Sequence, residues 1–154
     1  MLDRPLCEPE WDMVRAFVAR TSREDLRLRF GYPLDLADEP TLRRAFGVGH
    51  RAGTIAFLLD ETAAVAAIAH RAWTAPAEAE IALIVRSDLK RRGLGEFLLR
   101  AMLARSARQG FAALSALINR DNRAALRLAV KIGYVPRSAS GFAVEIAFPL
   151  GAAA

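Results

Sequence analysis

The sequence predicts an α/β domain in which a mixed sheet is covered by helices. Three observations carry the prediction. The N-terminal third holds apolar residues at helical spacing, a hairpin pattern follows, and the rest runs strand, helix, strand, helix, strand. The chain has 154 residues, 53% of them hydrophobic and 25% charged, which suits one globular domain over residues 1–154.

The elements follow in order. "MLDRPL" reads as a short edge strand. "EPEWDMVRAFVAR" (8–20) places Trp11, Val14, Arg15 and Val18 at helical spacing, with Pro9 in the first turn. "SREDLRLRF" (22–30) opens with Ser22 and has Asp25 three residues on, near a capping box, and Gly31 and Pro33 end it. "EPTLRRAFGVG" (39–49) is a weaker helical stretch. "TIAFLLD" (54–60) and "AAVAAIAHRAW" (63–73) flank Asp60-Glu61-Thr62 as a hairpin. "EIALIVR" (80–86) is apolar on both faces and therefore central.

A helix follows, with Leu94, Phe97, Leu98, Ala101 and Met102 as its inward stripe, Glu96 and Arg100 as an outward pair, and Gly110 as its stop. "FAALSALI" (111–118) is a strand. Asp121 or Asn122 caps a helix that turns Ala125, Leu128, Ala129 and Ile132 inward and ends at Gly133. "FAVEIAFPL" (142–150) is the last strand.

The net charge of +5 permits an anionic partner and equally permits a solvated basic surface. Cys7 is the single cysteine, so no disulfide framework or thiol metal cluster is expected. The N-terminus has no long apolar stretch, and "TAAVAAIA" (62–69) is too short for a bilayer span, so a cytoplasmic protein without a membrane partner is expected. No His/Cys/Asp/Glu spacing suggests a metal. His70, in a strand, and His50, in a loop, read as structural histidines.

The stretch "VRSDLKRRGLGEFLL" (85–99) carries the chemistry. A strand feeds a glycine-punctuated turn and then a helix, whose first N–H groups lack partners and whose dipole end is partly positive. Gly93 and Gly95 let backbone approach an anion, and Lys90, Arg91 and Arg92 add positive field. The reading is a phosphate or pyrophosphate site; a plain turn is the alternative. No Gly-Lys-Ser/Thr follows, and Leu98 stands where a dinucleotide fingerprint needs its third glycine.

This stretch resembles the acetyl-CoA loop, Gln/Arg-x-x-Gly-x-Gly/Ala, of the GNAT superfamily of N-acetyltransferases, with Lys90 in the first place and Gly93 and Gly95 in the glycine places. "NRAALRLAVKIGY" (122–134) resembles that family's Asn-x-x-Ala-x-x-Leu…Gly-Phe segment through Asn122, Ala125, Leu128, Gly133 and Tyr134. The likeness runs from about residue 2 to 150. A narrower one, in Ser22, Arg29-Phe30 and Ala79-Glu80, is to the acetyltransferase domains that modify lysines of acyl-CoA synthetases. Those domains often have companions, and none is expected here.

The resemblance implies a mixed sheet of about six to seven strands flanked by about four helices. It implies acetyl-CoA as donor, an amine acceptor with a protein lysine favoured, and Glu80 as general base, with Glu78 or water as the alternatives. A lysine amine, with a pKa of about 10.4, must lose a proton before it attacks. The resemblance also gives the main chain of Leu83, Ile84 and Val85 to the pantetheine arm and the reacting carbonyl, and Lys90, Arg91, Arg92, Gly93, Leu94, Gly95 and Glu96 to the pyrophosphate. Asn122 and Ala125 then face the arm, and for Asn122 a plain helix cap is compatible with that.

Many relatives have a Tyr seven residues after the Asn, as acid to the leaving thiolate; here Ala129 stands there. A thiol of pKa about 8.5 leaves without that help. A silent CoA-binding module and a small-molecule amine acetyltransferase are the competing readings. Nucleic-acid binding ranks last, for want of a recognition motif or aromatic platform. A homodimer through the final strand is a further expectation.

Overall fold

The computed structural model describes residues 4, 6–47 and 53–151. His50 lies outside them, as do Met1–Asp3 and Pro5 of the expected first strand; Arg4 and Leu6 are described and neither is in a strand.

Three helices come first: α1 (Glu8–Ala19), α2 (Arg23–Phe30) and α3 (Glu39–Phe46). The strands are β1 (Gly53–Leu59), β2 (Val65–Ala75), β3 (Glu78–Val85), β4 (Ala113–Asn119), β5 (Val135–Ser140) and β6 (Ala143–Pro149). The helix α4 (Leu94–Arg108) joins β3 to β4, and α5 (Arg123–Ile132) joins β4 to β5. The sheet order is β1-β2-β3-β4-β6-β5, antiparallel except for the β3–β4 pair. The mixed sheet with helices on both faces agrees with the expectation; five α-helices are described, one more than expected.

Caps fix several boundaries. The Ser22 hydroxyl accepts from the Asp25 N–H at 3.1 Å, and Gly31 at φ +85° ends α2 in the left-handed region, where a Cβ is unfavourable. Asp38 caps α3 through the Thr41 N–H, and Asn122 caps α5 through the Ala125 N–H.

Two cores sit on opposite faces. Trp11, Val14, Phe17, Leu42 and Phe46 of α1 and α3 pack on Ile55, Ile68 and Ile84. Leu98, Leu99, Met102 and Ala129 of α4 and α5 pack on Ile81, Leu114, Ile146 and Phe148. The inward stripe of α4 therefore differs from the expected one. Leu99 is buried and Phe97 is 62% exposed, because the helix turns its 95, 98, 99, 102, 106 line to the sheet.

Two strand expectations are corrected. "VPRSAS" forms β5, an exposed strand too polar and short to show alternation. The last strand, β6, lies between β4 and β5 with both edges paired, so it cannot join two subunits; the edges are β1 and β5.

Candidate active site

The one parallel pair among the described strands positions the site. β3 and β4 share register at Glu78↔Ala113, Ala79↔Leu114 and Glu80↔Ser115 and then diverge. Residues 81–85 of β3 keep their β2 partners but have no strand partner on the β4 side. The result is a V-shaped cleft at the carboxyl ends of two parallel strands, the place where open α/β sheets bind ligands.

The cleft has a volume of about 570 Å³. Its walls include Leu83, Ile84 and Val85 from β3, Lys90, Arg91 and Gly93 from the loop, Leu94, Gly95 and Glu96 from α4, and Asn122 and Ala125 from α5. Eleven of the twelve residues expected to bind the donor thus border one space; Arg92 lies in the same loop, exposed, outside the wall.

The loop is rigidly carried. Arg86 is buried, and its guanidinium donates to Asp88 at 2.7 Å, Asp60 at 3.0 Å and the Val65 carbonyl at 3.1 Å. Sequence reading gave Arg86 no task; its place directly after an apolar strand is the signal. Arg91 at φ +61° and Gly93 at φ +80° turn the chain into α4. Only the glycine takes that conformation without strain. A Cβ on Gly95 would sit 3.5 Å from Val85 Cγ2, 3.7 Å from Leu83 Cδ1 and 3.8 Å from Leu128 Cδ2, in the throat between β3 and α5.

Two side chains expected at the phosphate, Lys90 and Glu96, are paired with residues outside that set. Lys90 pairs with Asp25 of α2, and the Ser87 hydroxyl donates to the same carboxylate at 2.5 Å. Burial pushes the Asp25 carboxyl up, but the bonds from Lys90, Ser87 and Ser22 bring it below its ordinary range. Glu96 takes Lys131 and Arg100, which hold its carboxyl down, so what it offers a ligand is its main chain.

The other face of β3 carries acid–base groups. Glu80 is exposed and stands where the strands part. Among the described residues no side chain or main-chain group bonds to its carboxylate. Glu78, by contrast, is held by Arg137 at 3.0 and 3.2 Å, which lowers its pKa. Half-buried Arg29, at the end of α2, lies over the Phe30 ring at 4.7 Å and borders the cleft. Burial pushes Arg29 down to about 10 against the pull of the Glu80 charge, and its Nε has no hydrogen-bond partner. His70 pairs across β2 with Ala82, diagonal to Glu80. Its Nε2–H donates to the Phe46 carbonyl at 2.8 Å, and its Nδ1 has no hydrogen-bond partner among the described residues. Burial, helped by the Arg29 charge, pushes His70 down to about 4.

The model of the acetyltransferase (GNAT) family matches residues 15–134. The chain belongs to the GNAT acetyltransferase family. As a family member it is an N-acetyltransferase whose acyl donor is acetyl-CoA. Among solved structures, the GNAT domain of S. lividans PAT is similar at TM-score 0.78 and 24% identity, over 96% of this chain and 89% of that one. A phosphinothricin acetyltransferase from Sinorhizobium meliloti, in complex with AcCoA, reaches 0.72 and 20% over 96% and 87%. The ribosomal-protein-S18-alanine N-acetyltransferase from Escherichia coli reaches 0.71 and 21% over 98% and 94%. These likenesses show the GNAT fold.

The cleft fits the donor by its own chemistry: unpaired strand amides, a glycine throat, and a helix N-terminus beneath two arginines. Among the described residues no group of three His, Cys, Asp or Glu side chains is placed to hold a metal, and no helix is long and apolar enough to cross a membrane.

Proposed function

We propose that this GNAT acetyltransferase acetylates a primary amine, with a protein lysine as the favoured acceptor and Glu80 as the general base. When bound, acetyl-CoA supplies the thioester carbonyl that the amine attacks. The observation that carries the reading is the free carboxylate of Glu80 at the parting of β3 and β4, beside a Glu78 already occupied by Arg137. A base needs a carboxylate whose charge is not already taken up, and of the two glutamates Glu78 is neutralised by Arg137 while Glu80 has no hydrogen bond among the described residues.

The remaining roles follow from placement. The Leu83 and Val85 N–H groups on the open edge bond the pantetheine arm as an added strand would, and one of them donates to the carbonyl oxygen as it gains charge; Ile84 between them turns its N–H to β2 and borders the cleft. The turn from Arg91 to Glu96 receives the pyrophosphate at the start of α4, with Arg91 and Arg92 adding charge beside it and Lys90, paired with Asp25, bordering it. Asn122 caps α5 and borders the cleft at once, and Ala125 follows one turn on. Position 129 is a buried alanine, so the leaving thiolate is protonated by water. The lysine preference rests on the resemblance through Ser22, Arg29-Phe30 and Ala79-Glu80.

The test is release of CoA thiol with a panel of acceptors. Glu80→Gln is expected to lower release about a hundredfold or more at unchanged acetyl-CoA affinity, while Glu78→Gln keeps most of it. Wild-type rates in Glu80→Gln remove the base from the proposal. Tight donor binding with no release to any acceptor supports a silent CoA-binding module instead.

A further inference from the structure

The cleft has an inner end that the chemistry above does not use. Its wall includes Ile81 of β3, Ala116 of β4, Leu99 of α4, Ala129 of α5 and Phe148 of β6. All five are at most 8% exposed, so the space they line lies inside the fold. Ile81 and Ala116 are the first residues past the last shared pair of β3 and β4, Glu80↔Ser115, and both turn their side chains toward α4 and α5. Phe148 pairs with Leu114 on the far side of β4, two strands from β3. This end therefore reaches sideways beneath β4, off the line that runs along β3 from the turn before α4 to Glu80. It is open because two side chains there are short. Ala116 from the sheet and Ala129 from α5 each present a single methyl to the core that Leu99 and Phe148 complete. None of the five side chains carries a polar atom.

We propose that this inner end holds the acyl chain of the donor, and that the protein transfers a straight four-carbon acyl group in preference to acetyl. The inference rests on the N-acetyltransferase reading of the site. A thioester at the parting of β3 and β4 has two spaces beside it. One is the exposed face that carries Glu80, from which the amine arrives. The other is the buried end between Ile81 and Ala116. Carbons added to the acetyl group enter the second, out of the path of the amine. The chemistry of the wall chooses the chain: methylenes leave water there at a gain, whereas a carboxylate finds no hydrogen-bond partner among these side chains. The transfer step keeps its form. The amine nitrogen bonds to the butyryl carbonyl carbon as the carbon–sulfur bond breaks. The amine proton passes to Glu80 and on to solvent, and the thiolate takes a proton from water.

The experiment titrates the whole chain with acetyl-, propionyl-, butyryl- and succinyl-CoA by calorimetry, and follows CoA-thiol release to the acceptor panel. Each buried methylene strengthens binding about fourfold, so butyryl-CoA binds about fifteenfold tighter than acetyl-CoA, with propionyl-CoA between them. Succinyl-CoA, of like length but charged, binds more weakly than acetyl-CoA. An acceptor that takes acetyl takes butyryl at a higher kcat/KM. Ala129→Leu fills the inner end and brings the ratio of butyryl- to acetyl-CoA affinity to about one. Ala116→Val does the same from the sheet, should the first variant not fold. Equal or weaker binding of butyryl-CoA by the wild type overturns the acyl site, and so does a preference that survives the filled variant. Succinyl-CoA bound as tightly as butyryl-CoA overturns it too. In those cases N-acetyl transfer stands. No release from any donor to any acceptor, by a chain that binds CoA, overturns the underlying reading and the butyryl transfer with it.

Discussion

Replacing Gly95 with alanine separates stability from donor binding. The added Cβ meets Val85, Leu83 and Leu128 at 3.5, 3.7 and 3.8 Å, ordinary van der Waals distances, so the fold admits it without movement. Gly95 is in the first turn of α4, away from the left-handed region, and alanine is the better helix former by up to about 1 kcal/mol. The methyl also contributes about 0.5 kcal/mol of apolar burial against its three neighbours. Gly95→Ala is therefore stabilised by roughly 0.5–1.5 kcal/mol, read as a rise in the urea midpoint at constant m. Position 95 is the Gly/Ala place of the loop pattern this stretch resembles, so a methyl leaves the main chain of α4 its approach to the diphosphate, and acetyl-CoA affinity of Gly95→Ala stays within about twofold by calorimetry. Gly95→Val carries two more carbons into the same throat, where overpacking costs about 1–3 kcal/mol, so its affinity falls about tenfold or more. A folded Gly95→Val variant that binds the donor as well as the wild type refutes the assignment of this turn. A less stable Gly95→Ala variant refutes the reading of the throat as open space.

Three further outcomes are expected. Above pH 6.5 both folded and unfolded His70 are neutral; as pH falls toward 4 only the unfolded chain takes up the proton, so stability is lost across that window, by up to about 3 kcal/mol. Urea melts of His70→Gln at pH 7 and pH 4.5 will lack this component, and an equal loss in both proteins counts against a buried neutral imidazole. Gly93→Ala places a side chain at φ +80° with nothing within 4 Å, so it costs about 1 kcal/mol of stability through backbone strain alone; an unchanged melting curve contradicts this. Asp25→Asn removes the charge from the Lys90 pair and costs about 1 kcal/mol, while limited proteolysis between α2 and α3 becomes faster; unchanged cleavage says that Asp25 does not hold α2.

The sequence showed most of the frame because strong local signals mark it. Ser22 and Asn122 are caps, Gly31, Gly110 and Gly133 take positive φ at helix ends, and the apolar β3 is central. The turn before α4 was legible for the same reason: glycines and basic residues between a strand and a helix form a local pattern. What escaped was set by tertiary packing. The strand β5 has neither alternation nor a run of apolar residues, and it exists because β6 offers it an edge. The face of α4 was misread by one position, since Phe97 and Leu99 both fit a helical stripe and only the sheet beneath chooses between them. The tie of Lys90 to Asp25 links residues 65 apart. The ion pair that sets Glu78 apart from Glu80 depends on Arg137, on a strand that sequence patterning does not show.

The short seam between β3 and β4 has a mechanical consequence. Three residue pairs join two leaves of sheet, one of β1 to β3 and the other of β4 to β6. Apart from that spine the leaves are stitched by α2, which touches both, and by α4 packed beneath them. A molecule hinged this way breathes at its open margin, and a ligand lying along the gap acts as the missing thread. Heat tolerance and donor affinity are then two readings of one quantity, which grows as RT ln(1 + [L]/Kd) with donor concentration.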